Sequence, residues 1–416
     1  MKRSGLISAT AALSVLAAAC GSTTGGTAPT GGKAPAQITV GTLYSSSGSF
    51  ATSSMPEYAG LKFWVKQENA KGGAYVGAFH KRIPLKLVAL NDQSNPETAA
   101  TLYSQLITQD KVNILVADFG SVLTAPAVTI AQEHHQLLFD VSGSGTTFFS
   151  ASNPYVVLTS LPTSGVWPTP LVKFLVSKKI KRVAMIYDSN DFDASQAATI
   201  RKGLAAQHIT PVFDQAVPTS TTSYTTLINN IAATNPQAVL ELGYPNNDIA
   251  FLQALGSMGR HFPLTFTAFP GQLHALLESN VGAANLSYVY SYGFPPQLAY
   301  NSPNAGLGTA AFVKQFGATT TGPVNFLDIA GYNAGVVVGA ALRHATSLSQ
   351  LSLKQALVSQ SGKLQTIEGS FKIQSDGAQI GERLPVSQMF PSSNGTTIKL
   401  VYPSSSANAS ARYPAP

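Results

Sequence analysis

Residues 113–144 read NILVADFGSVLTAPAVTIAQEHHQLLFDVSGS. An apolar run, Asn113–Ala117, stops at the polar break Asp118-Phe119-Gly120-Ser121. Leu123 to His134 then carries apolar residues at helical spacing, and a second apolar run, Leu137–Val141, ends in Ser142-Gly143-Ser144-Gly145. Strand, loop, helix, strand, loop is the repeating unit of a parallel sheet with helices packed on it. In such a sheet the loops leaving the carboxyl ends of neighbouring strands meet in one crevice. Both loops here offer hydroxyls and bare backbone N–H groups beside a helix N-terminus, a setting that suits a small anion such as a carboxylate. The stretch is therefore expected to form half of a ligand-binding cleft.

The same rhythm extends in both directions. Upstream, strands at Ile38–Leu43 and Ile83–Leu90 alternate with helices from about Pro56 to Ala70 and from Pro96 to Gln109. Downstream, Tyr155–Thr159 is a strand and Leu161-Pro162-Thr163-Ser164 a crossing segment. A second series follows, with strands at Arg182–Tyr187, Pro211–Ala216, Ala238–Leu242 and Leu264–Thr267 and helices between them. Leu286–Phe294 reads as a strand returning to the first block, and the last part of the chain alternates helices with short strands. The fold class predicted is α/β: two doubly wound parallel-sheet lobes, in two blocks too different in residue identity to be a sequence repeat.

Composition narrows the partners. The chain has 416 residues, enough for two domains, with 11% charged residues and a net charge of +7. Lys and Arg are scattered; the one tight group, Lys178-Lys179 and Lys181-Arg182, precedes an apolar strand and reads as a solvated helix end. No basic stripe interleaved with aromatics is present, so no nucleic-acid partner is expected. The single cysteine, Cys20, excludes an intrachain disulfide. It follows a positive start (Met1-Lys2-Arg3), an apolar stretch (Leu6–Leu16) and three alanines (Ala17-Ala18-Ala19), an order that resembles a bacterial lipoprotein signal with lipid attached at Cys20. An ordinary secretory signal is the alternative. The protein is expected to be exported and held at the outer face of the cytoplasmic membrane or in the periplasm, with Gly21–Gln37 as a flexible tether. The chain lacks a Gly-x-x-x-x-Gly-Lys-[Ser/Thr] phosphate loop, a His-Glu-x-x-His helix and a Gly-x-Ser-x-Gly elbow. No enzyme activity, cofactor or metal is expected. His134-His135 reads as a solvated helix end, because adjacent helical residues face different ways.

In order and spacing, several segments together resemble the periplasmic branched-chain amino acid binding proteins, the type I solute-binding components of ABC importers. They are Ile38-Thr39-Val40-Gly41 with Ser47-Gly48; Asn91-Asp92-Gln93-Ser94-Asn95-Pro96; Asn153-Pro154-Tyr155-Val156; Lys181 to Asp188; and Gly331-Tyr332-Asn333-Ala334. The resemblance covers about Ile38 to Tyr402. It implies two lobes joined by a three-segment hinge, with lobe 1 from 38–161 plus 292–345, lobe 2 from 162–291 plus 346–402, a signal over 1–20, a tether over 21–37 and a low-complexity tail over 403–416. It also implies a monomer whose partners are a small-molecule ligand (a carboxylate, amino acid or aromatic acid) and ABC permease subunits, with a lipid anchor in the membrane. A sensor of the same fold and, more distantly, a doubly wound enzyme are the alternatives.

The family pattern places the ligand carboxylate on Ser121 and on the loop Ser142, Gly143, Ser144. It places aromatic walls at Phe192 and Tyr244, with Phe269 a further wall and Phe50 closing over from the first lobe. Ser121 also reads as a helix cap, and Asp188 as a cap of the following helix or an ordering group at the hinge. Two positions depart from the pattern. Ala268 stands where the family carries an acid for the ligand's ammonium, and Leu327 stands where an aromatic is common. An ammonium closed in a cleft without a carboxylate partner is poorly compensated; Asp118, Asp140 and Glu241 are the candidate substitutes. The expected ligand is a small apolar-bodied carboxylate or amino acid: the resemblance implies a branched-chain amino acid, and Ala268 shifts weight toward aromatic or aliphatic carboxylates or neutral amides.

Overall fold

The computed structural model describes residues 33–416. Cys20, the signal and most of the tether lie outside the described residues.

Residues 38–158 form a five-stranded parallel sheet. Its strands are β1 (Ile38–Tyr44), β4 (Leu85–Asn91), β5 (Ile114–Val116), β6 (Leu138–Asp140) and β7 (Val156–Leu158), in the order β4-β1-β5-β6-β7. A small hairpin, β2 (Ala74–Val76) with β3 (Lys81–Ile83), sits between β1 and β4 in sequence. Ile114, Leu115 and Val116 are all fully buried, as expected of a strand covered on both faces rather than one. The helices of this part are α1 (Ala51–Ala70), α2 (Pro96–Thr108) and α3 (Gly120–Glu133).

The second sheet has seven strands in the order β16-β15-β12-β11-β10-β8-β9. They are β8 (Val183–Asp188), β9 (Phe213–Val217), β10 (Ala238–Leu242), β11 (Thr265–Phe266), β12 (Tyr290–Tyr292), β15 (Val386–Ser392) and β16 (Gly395–Tyr402); β13 (Leu364–Thr366) and β14 (Gly369–Phe371) form a separate hairpin. Strands β8 to β12 are parallel, and β15 and β16 are antiparallel additions. Helices α4 (Pro168–Ser177), α5 (Asp191–Ala205), α6 (Thr225–Ala233), α7 (Pro245–Ser257), α8 (His274–Val281) and α9 (Ala283–Leu286) alternate with these strands, and α10 (Thr309–Gly317), α11 (Phe326–His344) and α12 (Gln350–Gln360) follow β12.

In chain order both sheets follow one plan. The first strand is central, the second lies on one side, and the third, fourth and fifth run out on the other. Each sheet therefore has one switch point where the direction of winding reverses, the place where loops spread apart and ligands bind. In the first sheet it lies between β1 and β5, and the loop after β5 is Ala117–Phe119. In the second it lies between β8 and β10, and the loops there carry Ser189–Asn190 and Gly243–Tyr244.

Helix α11 lies against α1 at a crossing that only glycine allows. A Cβ on Gly331 would stand 1.8 Å from the Glu57 carbonyl oxygen, and one on Gly60 2.0 Å from that of Asp328. The start of α11 is fixed by a capping box, with the Asn325 side chain accepting from the Asp328 N–H and the Asp328 side chain accepting from the Asn325 N–H.

Two expectations are corrected. Strand β12 does not return to the first block: Tyr290 pairs with Phe266 of β11 and with Gln388 of β15, inside the second sheet. Helix α12, expected in lobe 2, packs with the first sheet. Its Gln350 side chain accepts from the Leu137 N–H at 3.0 Å, and Lys354 Nζ donates to the Val156 carbonyl. The low-complexity tail over 403–416 is bonded to the second sheet and the loop before β11. Arg412 N–H donates to Gln388 Oε1, the Tyr290 hydroxyl donates to the Arg412 carbonyl at 2.7 Å, and Ala415 N–H donates to the Pro263 carbonyl.

Candidate functional site

The loops at the two switch points face each other across a cleft lined by Phe119, Gly120, Ser142, Ser144, Leu158 and Ser160 from the first sheet's side. Leu161 of the crossing segment, Trp167 at the N-cap of α4, Phe192 in the first turn of α5, Tyr244, Phe269 and Gln272 of the second sheet's loops, and Phe326 at the start of α11 complete it. The walls are mostly aromatic. Tyr244 lies 5.5 Å from Phe192, 6.0 Å from Phe269, 5.8 Å from Phe119 and 5.2 Å from Phe50, centroid to centroid. Trp167 stands edge-on to Phe192 at 5.2 Å. The rings fill the cleft to the point where about 20 Å³ is free, room for about one water. A ligand therefore enters only as the two sides part or the rings turn.

The first half of the cleft is built on α3. Gly120 opens this helix at φ +74, in the left-handed region, where a residue without Cβ is favoured. A Cβ there would also lie 3.1 Å from the Tyr244 ring. The Tyr244 hydroxyl reaches over from the second sheet and accepts from the Ser121 N–H at 3.0 Å. It thus occupies the helix N-terminus where a carboxylate was expected. The Gly120 N–H donates to Ser142 Oγ at 3.0 Å, and Ser121 Oγ accepts from the Gly145 N–H at 3.0 Å. Ser121 lies inside the first turn and does not cap the helix; the N-cap is Phe119, with no side-chain bond. The Gly143 N–H donates to Asp140 Oδ1 at 2.7 Å, and Gly143 is not among the lining residues. Phe50 packs on Tyr244 and Phe119 from behind the lining rather than closing over the cleft.

Three donors remain. Ser144 Oγ and Gln272 Nε2 are buried in the cleft wall without a partner. The Tyr244 hydroxyl accepts from the helix, and among the described residues its own proton has no acceptor. Burial and the nearby Asp193 hold that phenol well above its ordinary range, so it stays protonated. No carboxylate, lysine, arginine or histidine lines the cleft. Gln272, Trp167, Phe119 and Phe326 were not singled out from the sequence. Gln272 carries the nearest to a signal, three residues beyond Phe269 in one loop.

None of the acids proposed to replace the one missing at Ala268 lines the cleft. Asp118 accepts from Ser54 Oγ at 2.5 Å and from Ser45 Oγ, which also donates to Asp92. Burial and Asp92 push its carboxyl up to about 8. Asp140 holds the Gly143 N–H. Glu241 is buried in a group with Asp188, Asp193 and Asp248 behind the second sheet's loops, where Asp248 Oδ2 accepts from the Phe269 N–H at 2.7 Å. Asp188 does not cap α5; Asn190 does, accepting from the Asp193 N–H. Both Asp188 oxygens are unpartnered, and burial with Asp248 nearby pushes its carboxyl up to about 8. These carboxyls are kept largely protonated by desolvation. Among the described residues no group of three or more His, Cys, Asp or Glu is arranged to hold a metal ion, and no helix is long and apolar enough to cross a membrane.

Outside the lining, the two sides are clasped. Asp191, the first residue of α5, accepts from the Thr147 N–H at 2.9 Å and from its hydroxyl at 2.8 Å. Asn246 Nδ2 donates to the Ser49 carbonyl at 3.1 Å.

Two switch-point sheets sharing a cleft form an architecture suited to holding a small ligand between them. Residues 37–395 match the family model for periplasmic binding proteins, and the chain belongs to that family, a family of solute-binding rather than enzymatic proteins exported to the periplasm. It is 22% identical to the Leu/Ile/Val-binding protein of Escherichia coli (strain K12) over 207 residues, 50% of this chain and 54% of that one; the match spans about half the relative's length. The fold superposes on the branched-chain amino acid transporter substrate-binding protein LivJ from Streptococcus pneumoniae, in complex with isoleucine. The TM-score is 0.74 at 18% identity, over 88% of this chain and 100% of that one. It also superposes on an ABC-transporter solute-binding protein from R. palustris in complex with benzoate, with a TM-score of 0.71 at 18% identity, over 87% and 95%.

Proposed function

We propose that this chain is the extracytoplasmic solute-binding component of an ABC importer, held at the membrane by lipid on Cys20, and that its two sheets are the cores of two lobes that close on a small apolar-bodied carboxylate. One observation carries the ligand class: the cleft presents unpartnered donors among aromatic rings and no charged side chain. A buried donor without an acceptor is costly, by about 1–3 kcal/mol, so Ser144, Gln272 and Tyr244 together favour an acceptor-rich ligand. A carboxylate accepts all three bonds and its ring or chain lies against Phe192, Phe269 and Trp167. An ammonium finds no acceptor side chain of opposite charge there. The relatives are named for branched-chain amino acids and, among solved structures, also for benzoate; the cleft chemistry favours the second kind.

A melting-temperature panel tests this. Benzoate, aliphatic carboxylates, leucine, isoleucine and valine are added in turn to the purified protein. A ligand at a hundred times its Kd stabilises by about 2.7 kcal/mol. The expected result is a shift with plain carboxylates that exceeds any shift with the amino acids. A shift with leucine and none with any plain carboxylate refutes the ligand class.

A further inference from the structure

A second cavity, of about 690 Å³, lies outside the cleft and shares no lining residue with it. It opens between α1, the β2–β3 hairpin and α11. Its size is that of a site for a drug-sized organic molecule. The floor is apolar and low. Gly339 of α11 forms it, packed on the nearly buried Trp64 and Val336, and the half-buried Tyr75, Ala305 and Leu307 supply the apolar surface beside it. The rim is charged and unbalanced. Lys71 and Arg82 both pair with Glu68, at 2.8 and 3.2 Å. Arg343 has no carboxylate within 4 Å among the described residues, and its guanidinium instead lies 5.1 Å from the Tyr75 ring centre. Three cations, Lys71, Arg82 and Arg343, thus share the rim with one carboxylate, Glu68.

We propose that this cavity is a second binding site, for an organic anion with an apolar ring or chain. The body lies along Gly339 and the half-buried Tyr75, Ala305 and Leu307, and the anionic group meets Arg343, with Arg82 beside it. A guanidinium resting on an aromatic ring keeps its in-plane N–H donors free for a carboxylate or sulfonate, which suits Arg343 to that role. Inorganic phosphate would satisfy the cations and leave most of the cavity, including its apolar floor, unused. The site is independent of the ligand proposed for the cleft, since the two share no lining residue.

The test uses 8-anilinonaphthalene-1-sulfonate, an anion with an aromatic body, titrated into the purified full chain and followed by its fluorescence. Saturable binding is expected. Arg343→Glu, at an exposed position, and Gly339→Leu, which fills the floor, are each expected to weaken it at least tenfold, and the Arg343→Glu loss is expected to shrink in high salt. Melting curves confirm that each variant is folded; if Gly339→Leu is not, Arg343→Glu decides alone. Absence of saturable binding, or wild-type affinity in Arg343→Glu, overturns the proposal. So does a loss seen in Gln272→Met but not in Arg343→Glu, because that places the probe in the cleft.

Discussion

Tyr244 holds two positions at once. Its ring is wall, and its hydroxyl is an acceptor at a helix N-terminus whose own proton has no acceptor among the described residues. The two roles separate in Tyr244→Phe. The wall survives and the donor is lost, so affinity for the identified carboxylate is expected to fall by about tenfold, the scale of one hydrogen bond to a charged acceptor, as read by calorimetric titration. Gln272 is expected to behave oppositely on two measurements. Gln272→Met removes an unpartnered buried donor at similar volume, so melting temperature holds or rises, while carboxylate affinity falls. A fall in both would show that the amide nitrogen is satisfied in the fold and that its role is structural. The positions of Phe192, Tyr244 and Phe269 came from the family resemblance, and the three rings meet in the cleft lining. Gln272 was not legible, since a glutamine in a polar loop is ordinary until burial strips it of water. The expected carboxylate contacts were only partly legible: Ser142 and Ser144 line the cleft, while Ser121 and Gly143 lie outside the lining, bonded to Gly145 and Asp140.

At the scale of elements, the crossing of α1 and α11 is the tightest joint in the first lobe. Gly331→Ala would drive a methyl group into the Glu57 carbonyl and force two long helices apart. Overpacking of this kind costs about 1–3 kcal/mol or more, and a value near 3 is expected here as a drop in urea midpoint. An unchanged midpoint would mean that the helices slide freely. The same scale shows where sequence reading stopped. The strand–helix alternation specified both sheets because each strand is an apolar run between Gly- and Ser-rich loops. The alternation does not say which sheet a late strand joins. Tyr290–Tyr292 carries the apolar character of either, and it joined the second sheet through Phe266 and through the antiparallel strand β15, a long-range pairing invisible in local pattern. Helix α12 was likewise placed by contacts from Gln350 and Lys354 to residues more than 190 positions away in sequence.

At the scale of the molecule, buried carboxyls make stability depend on pH. Those of Asp118, Asp188 and Glu368 are pushed up to about 8, and that of Asp248 to about 7, in each case first by burial. A carboxyl raised on folding binds its proton more tightly in the folded protein. Its contribution is complete below roughly pH 4, the unfolded value, and is lost as pH rises through 7 to 8. Lys354, pushed down to about 8 by burial, has the reverse sign and adds stability as pH rises from there. Melting temperature is expected to decline between about pH 5 and 8 and then flatten; a steady rise over that interval would contradict the protonated state of these groups. The clasp between Thr147 and Asp191 has a different consequence. It lies outside the lining, so it touches no ligand, yet it joins the two sides that must meet around one. An observed dissociation constant is the intrinsic one divided by the fraction of molecules in the competent form. Strength and choice are thus set by different residues: Thr147→Val is expected to weaken every ligand by the same few-fold factor and leave their ranking intact, whereas Gln272→Met reorders the ranking.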